Sequence, residues 1–143
     1  YNSGVLEHDI SILVLETSSD EGPVALIDSE SLIHKGMKLT TVGYGTRRKR
    51  FSNFGMFWYY GILVGEEECF KTLPYKASIW FGDSGGPALA TFGTDTYIVG
   101  VISTLTIHDD YVAENSFTRV DLIYDWLATS ITDRSTCEDD SSE

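Results

Sequence analysis

The chain has 143 residues, 42% of them hydrophobic and 22% charged, and a formal charge of −12. That is one domain's worth of chain, of ordinary globular composition and long enough to bury a core, though it could also be half of something larger. The acidic balance repels phosphates and argues against a nucleic-acid role. No run of about eighteen apolar residues exists to span a membrane.

The N-terminal YNSGVLEHDI has neither an initiating methionine nor a cationic and apolar leader, and it reads as an interior start. Next, Ile10, Ile12, Leu13, Val14 and Leu15 form a short run apolar on both faces, as a strand buried between layers would be. It ends at the breaker TSSDEGP, and a loose stretch through Glu30 has the character of a linker. MKLTTVGYG, MFWYYGILVG, PALATFG and TYIVGVIST follow as strand candidates, rich in β-branched and aromatic residues and separated by turn signals. Short strands at such intervals predict an antiparallel barrel or sandwich.

The period changes only in VDLIYDWLATSI. There Leu122, Trp126 and Thr129 share one helical stripe, with Ile123, Leu127 and Ile131 alongside, which predicts an amphipathic helix docked on the body. The closing CEDDSSE reads as a solvated acidic tail. Arg47 to Arg50, RRKR, reads as an exposed loop, with a processing site or a docking patch for an anionic partner as the alternatives. Cys69 and Cys137 cannot build a disulfide framework and lack metal-ligand spacing, so they do not fix the redox compartment.

The chemistry concentrates in WFGDSGGPAL, residues 80–89, where Gly82, Gly85 and Gly86 surround Ser84. Glycine loses the most conformational entropy on folding, so this density predicts a backbone that side chains would obstruct. A serine nucleophile also needs a base, and His8, His34 and His108 are the histidines present.

In order along the chain, HDISILVLE, TTVGYGT, FGDSGGPAL and SFTRVDLIYDWLATSI resemble segments of a chymotrypsin-fold, trypsin-like serine protease, in its C-terminal portion. The Gly82 to Pro87 hexapeptide is the most specific of these. The resemblance implies an all-β fold: an antiparallel Greek-key β-barrel, the second of two, plus the last strand of the first, and a C-terminal α-helix. Residues 1–17 would then hold the last strand of the N-terminal barrel and 18–34 an inter-barrel linker. Residues 35–131 would hold the C-terminal barrel and helix, and 132–143 the acidic tail.

On that resemblance Ser84 is the nucleophile and Asp9 the acid that orients an imidazole. The backbone N–H groups of Gly82 and Ser84 form the oxyanion hole. Asp83 is the carboxylate that pairs with a newly exposed N-terminal amine on activation, and that partner is not seen in the chain. Ser78 lies at the base of the primary pocket, and Ser103, Thr104 and Leu105 form the peptide-binding strand. Asn115 stands at a second wall, normally glycine. Leu105 and Asn115 narrow the pocket, and with Ser78 in place of an acid small or medium uncharged residues are expected before the scissile bond. Trp80 and His108 occupy the positions of a family disulfide, so both halves are lost together. Cys69 resembles one half of another bridge whose partner is absent. The implied partner is a protein or peptide substrate, with no cofactor or metal, and the implied location is extracellular.

In the family the base precedes the acid by roughly forty-five residues, whereas eight residues precede Asp9. Adjacent side chains in a strand point to opposite faces, so His8 is not expected to reach Ser84 from beside Asp9. His34, in the linker, and His108, in the loop TIHDDYV, read as ordinary polar residues. The expectation is therefore a fragment whose first barrel and base lie on the same or another polypeptide, inactive by itself. The alternative is an inactive homologue that binds a partner. An esterase on an α/β-hydrolase scaffold is disfavoured, because there the nucleophile precedes the acid.

Overall fold

In Lys38–Gly43 every second residue turns inward: Leu39, Thr41 and Gly43 are buried, while Thr40 and Val42 are half-buried. This is the two-residue period of a strand lying on a core. The computed structural model describes residues 8–45, 57–63, 69–74, 79–108 and 111–134. Within them the strands are β1 (Ala25–Leu26), β2 (Lys38–Gly43), β3 (Phe57–Leu63), β4 (Cys69–Pro74), β5 (Pro87–Phe92), β6 (Asp95–His108) and β7 (Tyr111–Arg119). They form one sheet in the order β1-β6-β5-β2-β3-β4-β7, with a further pairing of β6 to β7. Every pairing is antiparallel except that of β1 with β6. Among the described residues the regular structure is thus mostly strand, with one short α-helix towards the C-terminal end.

Two local devices set the register. β5 and β6 turn through Gly93 and Thr94, with Phe92 opposite Asp95. Gly93 has φ +65° there, as the primed turns of two-residue hairpins require. β6 then serves three neighbours, pairing with β1 at Tyr97 and Ile98, with β5 over residues 95–101 and with β7 over 100–108. Its ladder with β7 steps from Ile102 opposite Phe117 to Thr104 opposite Ser116. Ser103 is left as the extra residue of a β-bulge.

The core gathers Leu39, Ala88, Ala90, Val99, Ile102 and Phe117 from the sheet with Ile27, Ile33, Met37 and Ile79 from its connections. It is closed by Val120, Ile123 and Leu127. Val120 leads into a 3-10 turn at Asp121–Ile123 and the helix α1 (Tyr124–Arg134). Beside them Arg119 Nε donates to Asp121 Oδ1 at 3.0 Å and its second arm to Oδ2, a buried two-pronged pair.

Four expectations change. The helix docks through Ile123 and Leu127, whereas Leu122, Trp126 and Ile131 are exposed, because the turn preceding α1 sets which stripe meets the sheet. The stretch expected to be a loose linker contains β1, and just after it the Ile27 N–H donates to the Ile98 carbonyl at 3.0 Å and Ile27 is buried. Ile10 to Leu15 form no strand among the described residues; Leu13 is 83% exposed, and Val14 and Leu15 are exposed with it. An apolar run becomes a strand only where a neighbour exchanges hydrogen bonds with it, and here the sheet offers none. His108, read as a loop residue, ends β6 opposite Tyr111.

Candidate functional site

The loop between Ile79 and Pro87 is two tight turns in succession, Asp83 N–H donating to the Trp80 carbonyl at 3.1 Å and Gly86 N–H to the Asp83 carbonyl at 3.0 Å. Gly82 at φ +95° and Gly85 at φ +83° supply left-handed backbone that L side chains rarely adopt. The loop is fastened to β6 by Gly85 N–H to the Ile102 carbonyl and by Ile102 N–H to the Gly86 carbonyl, both at 2.9 Å. Ser84 stays exposed at its tip. Among the described residues, no acceptor meets the N–H of Gly82 or of Ser84.

Asp83 points the other way, and its side chain is only 2% exposed. Its Oδ1 accepts from Gly45 N–H at 2.7 Å and its Oδ2 from Trp80 N–H at 2.8 Å. These charge-assisted bonds offset the cost of burying a carboxylate. They also explain the turn after β2: a Cβ on Gly43 would lie 2.1 Å from Asp83 Oδ1, and one on Gly45 would lie 2.5 Å from it. The carboxylate occupies the space that two side chains would need.

Asp9 is tied to the far side of β6. Its Oδ2 accepts from Ser103 Oγ at 2.6 Å, and its backbone carbonyl accepts from Thr118 Oγ1 at 3.2 Å. The bulge makes the first bond possible, since re-aiming one side chain is what an extra residue in a ladder does. Among the described residues Oδ1 of Asp9 accepts nothing. Before it, His8 takes φ +56° and its carbonyl accepts from Ile10 N–H at 2.7 Å. Residues 8–10 are therefore a tight turn outside any strand, and the alternation that set His8 and Asp9 on opposite faces does not operate.

Two clefts meet at Ser84. The larger, about 590 Å³, is lined by His8, Asp9, Leu13, Ser84 and Val101 among others. The smaller, about 200 Å³, is lined by Ile79, Trp80, Phe81, Ser103 and Leu105 among others, again with Ser84. Of the expected pocket residues, Ser103, Thr104 and Leu105 line the smaller cleft. Asn115 is buried opposite Leu105 across the β6–β7 ladder and is not among the lining residues. Ser78, Cys137 and Arg47 to Arg50 lie outside the described residues.

Sequence reasoning missed the parts played by Thr118, Ile79 and Phe81, and it saw Trp80 only as a lost cysteine position. Only their separation from Ser84 and Ser103 along the loop and strands could have signalled them. A family model described as Trypsin matches residues 1–127. No curated protein matches the sequence.

Proposed function

The chain belongs to the trypsin family of serine proteases, and on that premise we propose that it is the nucleophile-bearing part of an endopeptidase that cleaves peptide bonds through an acyl-enzyme on Ser84. One observation carries this reading: an exposed serine between two unclaimed amides, at the junction of two clefts, with a tethered carboxylate on the wall of the larger.

Beyond Val101 the ladder of β6 with β5 has ended, so among the described residues Thr104 and Leu105 are paired on the β7 side only. A substrate peptide adds along that open edge and brings its carbonyl to Ser84. As Ser84 Oγ attacks, the carbonyl oxygen gains negative charge and accepts from Gly82 and Ser84 N–H. An imidazole in the larger cleft takes the serine proton, and Asp9 offers it Oδ1 while Ser103 holds Oδ2.

That imidazole comes from a first barrel on the same or another polypeptide, and the exposed Leu13, Val14 and Leu15 are the strand it would complete. Within this chain the additional β6–β7 pairing supports the reading of a Greek-key barrel. Asp83, buried between the Gly45 and Trp80 amides, orders the loop that presents Ser84.

The test is labelling of Ser84 by a fluorophosphonate, together with peptide hydrolysis, in this chain and in the longer product of its coding sequence. The expected result is labelling and turnover in the longer product, abolished by Ser84→Ala and sharply reduced by Asp9→Asn. Failure of the longer product to label or to cleave any peptide would sink the peptidase reading. It would favour an inactive homologue that holds a partner by strand addition at residues 103–105, a reading the same open edge supports.

A further inference from the structure

The lining of the smaller cleft says which side chain it takes. Ile79, Trp80, Phe81, Ile102 and Leu105 supply apolar surface, and no charged residue is among its described walls. The rings of Trp80 and Phe81 meet edge to face, with centroids 5.3 Å apart and an angle of 78°. Trp80 is half-buried, and its backbone N–H is held by Asp83, so it is the better anchored residue of the pair. Phe81 is 60% exposed although it is a large aromatic, and it leans on the Trp80 ring at the lip of the cleft.

An exposed ring held in place beside a reactive serine presents an apolar face to whatever enters. The volume, about 200 Å³, exceeds the roughly 150 Å³ of an apolar cavity that admits benzene. A charged head placed there would lose its water without gaining a partner from these walls.

We propose that the Trp80–Phe81 pair is a specificity determinant: the cleft beside Ser84 takes a large apolar side chain, leucine, methionine or phenylalanine, from the peptide and rejects arginine and lysine. This deepens the peptidase reading and rests on it for calling the bound peptide a substrate. It moves the expectation from small or medium uncharged residues to large apolar ones. Burying such a side chain is worth roughly a 10- to 100-fold preference over alanine.

The chain itself is titrated with N-acetyl-phenylalaninamide, N-acetyl-leucinamide, N-acetyl-alaninamide and N-acetyl-argininamide. Binding is followed by nuclear magnetic resonance at the Trp80 indole and the Ile79 and Ile102 methyl groups, with a Trp80→Phe variant to assign the indole. The phenylalanine and leucine amides should give saturable shifts there, at least tenfold tighter than the alanine amide, and Phe81→Ala should erase most of that margin. Because Phe81 is largely exposed, this variant keeps the fold, which the unshifted resonances of core methyl groups such as Val99 report.

Equal or tighter binding of the arginine amide overturns the inference. So does an unchanged margin in Phe81→Ala, or the absence of any shift up to the solubility limit. Fluorophosphonate labelling of the longer product runs alongside and separates the two levels. Ser84 that labels while the cleft shows no apolar preference refutes the specificity and leaves the peptidase. An apolar preference in a protein that never labels supports the cleft and refutes the peptidase.

Discussion

Replacing Gly43 by alanine tests the clamp on Asp83 most directly. Gly43 has no positive φ, so its backbone accepts alanine, and the cost of the change comes from collision alone. The new methyl group would stand 2.1 Å from Asp83 Oδ1 and 2.7 Å from its carboxyl carbon. Its two oxygens are held by the Gly45 and Trp80 amides, so it yields by leaving one of them. A hydrogen bond to a charged group contributes about 1.5–3 kcal/mol, and crowding a packed site costs about 1–3 kcal/mol more.

Gly43→Ala should therefore cost about 3–5 kcal/mol, a large part of the roughly 5–15 kcal/mol that holds a domain together. It should also slow labelling of Ser84, since the displaced carboxylate pulls on the next residue. Urea unfolding followed by tryptophan fluorescence measures the first effect. The decisive comparison is with Asp83→Ala, which removes the obstacle. In that background Gly43→Ala should cost less than about 1 kcal/mol, a coupling of at least about 2 kcal/mol between the two sites. Equal costs in the two backgrounds would show that the carboxylate does not fill the space beside Gly43, and the account of the glycine turn would fall.

Other substitutions read other parts of the molecule. Arg119→Met should cost about 3–5 kcal/mol in the same unfolding assay, because it strands the Asp121 charge, and adding Asp121→Leu should recover most of the loss; the side chains concerned are 5% and 0% exposed. Phe117→Ala should cost about 3–5 kcal/mol by opening a cavity at a residue only 1% exposed, seen as a lower urea midpoint. Thr118→Val should leave global stability within about 1 kcal/mol while hydrogen exchange at the Ile10 amide quickens, since the hydroxyl that holds the Asp9 carbonyl is gone; an unchanged exchange rate would deny Thr118 that role.

What could be read in advance follows the range of each interaction. The turns around Ser84 are local, and glycine reports a demanding backbone wherever it stands, so Gly82 and Gly85 at positive φ were legible from residue type alone. The strands β2, β3, β5 and β6 were legible too, because side-chain alternation and turn residues lie within a few positions of each other. The partners of Asp83 were not, for Gly45 stands 38 residues away and contributes an amide that no residue type advertises.

The run at residues 10–15 carried a strand's composition without the neighbour that makes a strand. The helix stripe was misjudged for a related reason: Leu122 and Trp126 are as apolar as Ile123 and Leu127, and only the 3-10 turn before α1 decides which pair is covered. The aromatic pair at Trp80 and Phe81 went unread because it lines a cleft whose other wall, Ile102 to Leu105, comes from a strand some twenty residues on.

The bulge in β6 has a consequence for how this part of the molecule can vary. Ser103 faces no residue of β7, and the ladder resumes with Thr104 opposite Ser116 and Leu105 opposite Asn115. Deleting that one supernumerary residue would leave those pairings, and the faces they set, in place. What would vanish is the hydroxyl that holds the carboxylate of Asp9. Surface loops absorb changes of length, but here a single added position ties the strand to an acid from another segment, and its loss is graver than most exchanges of side chain.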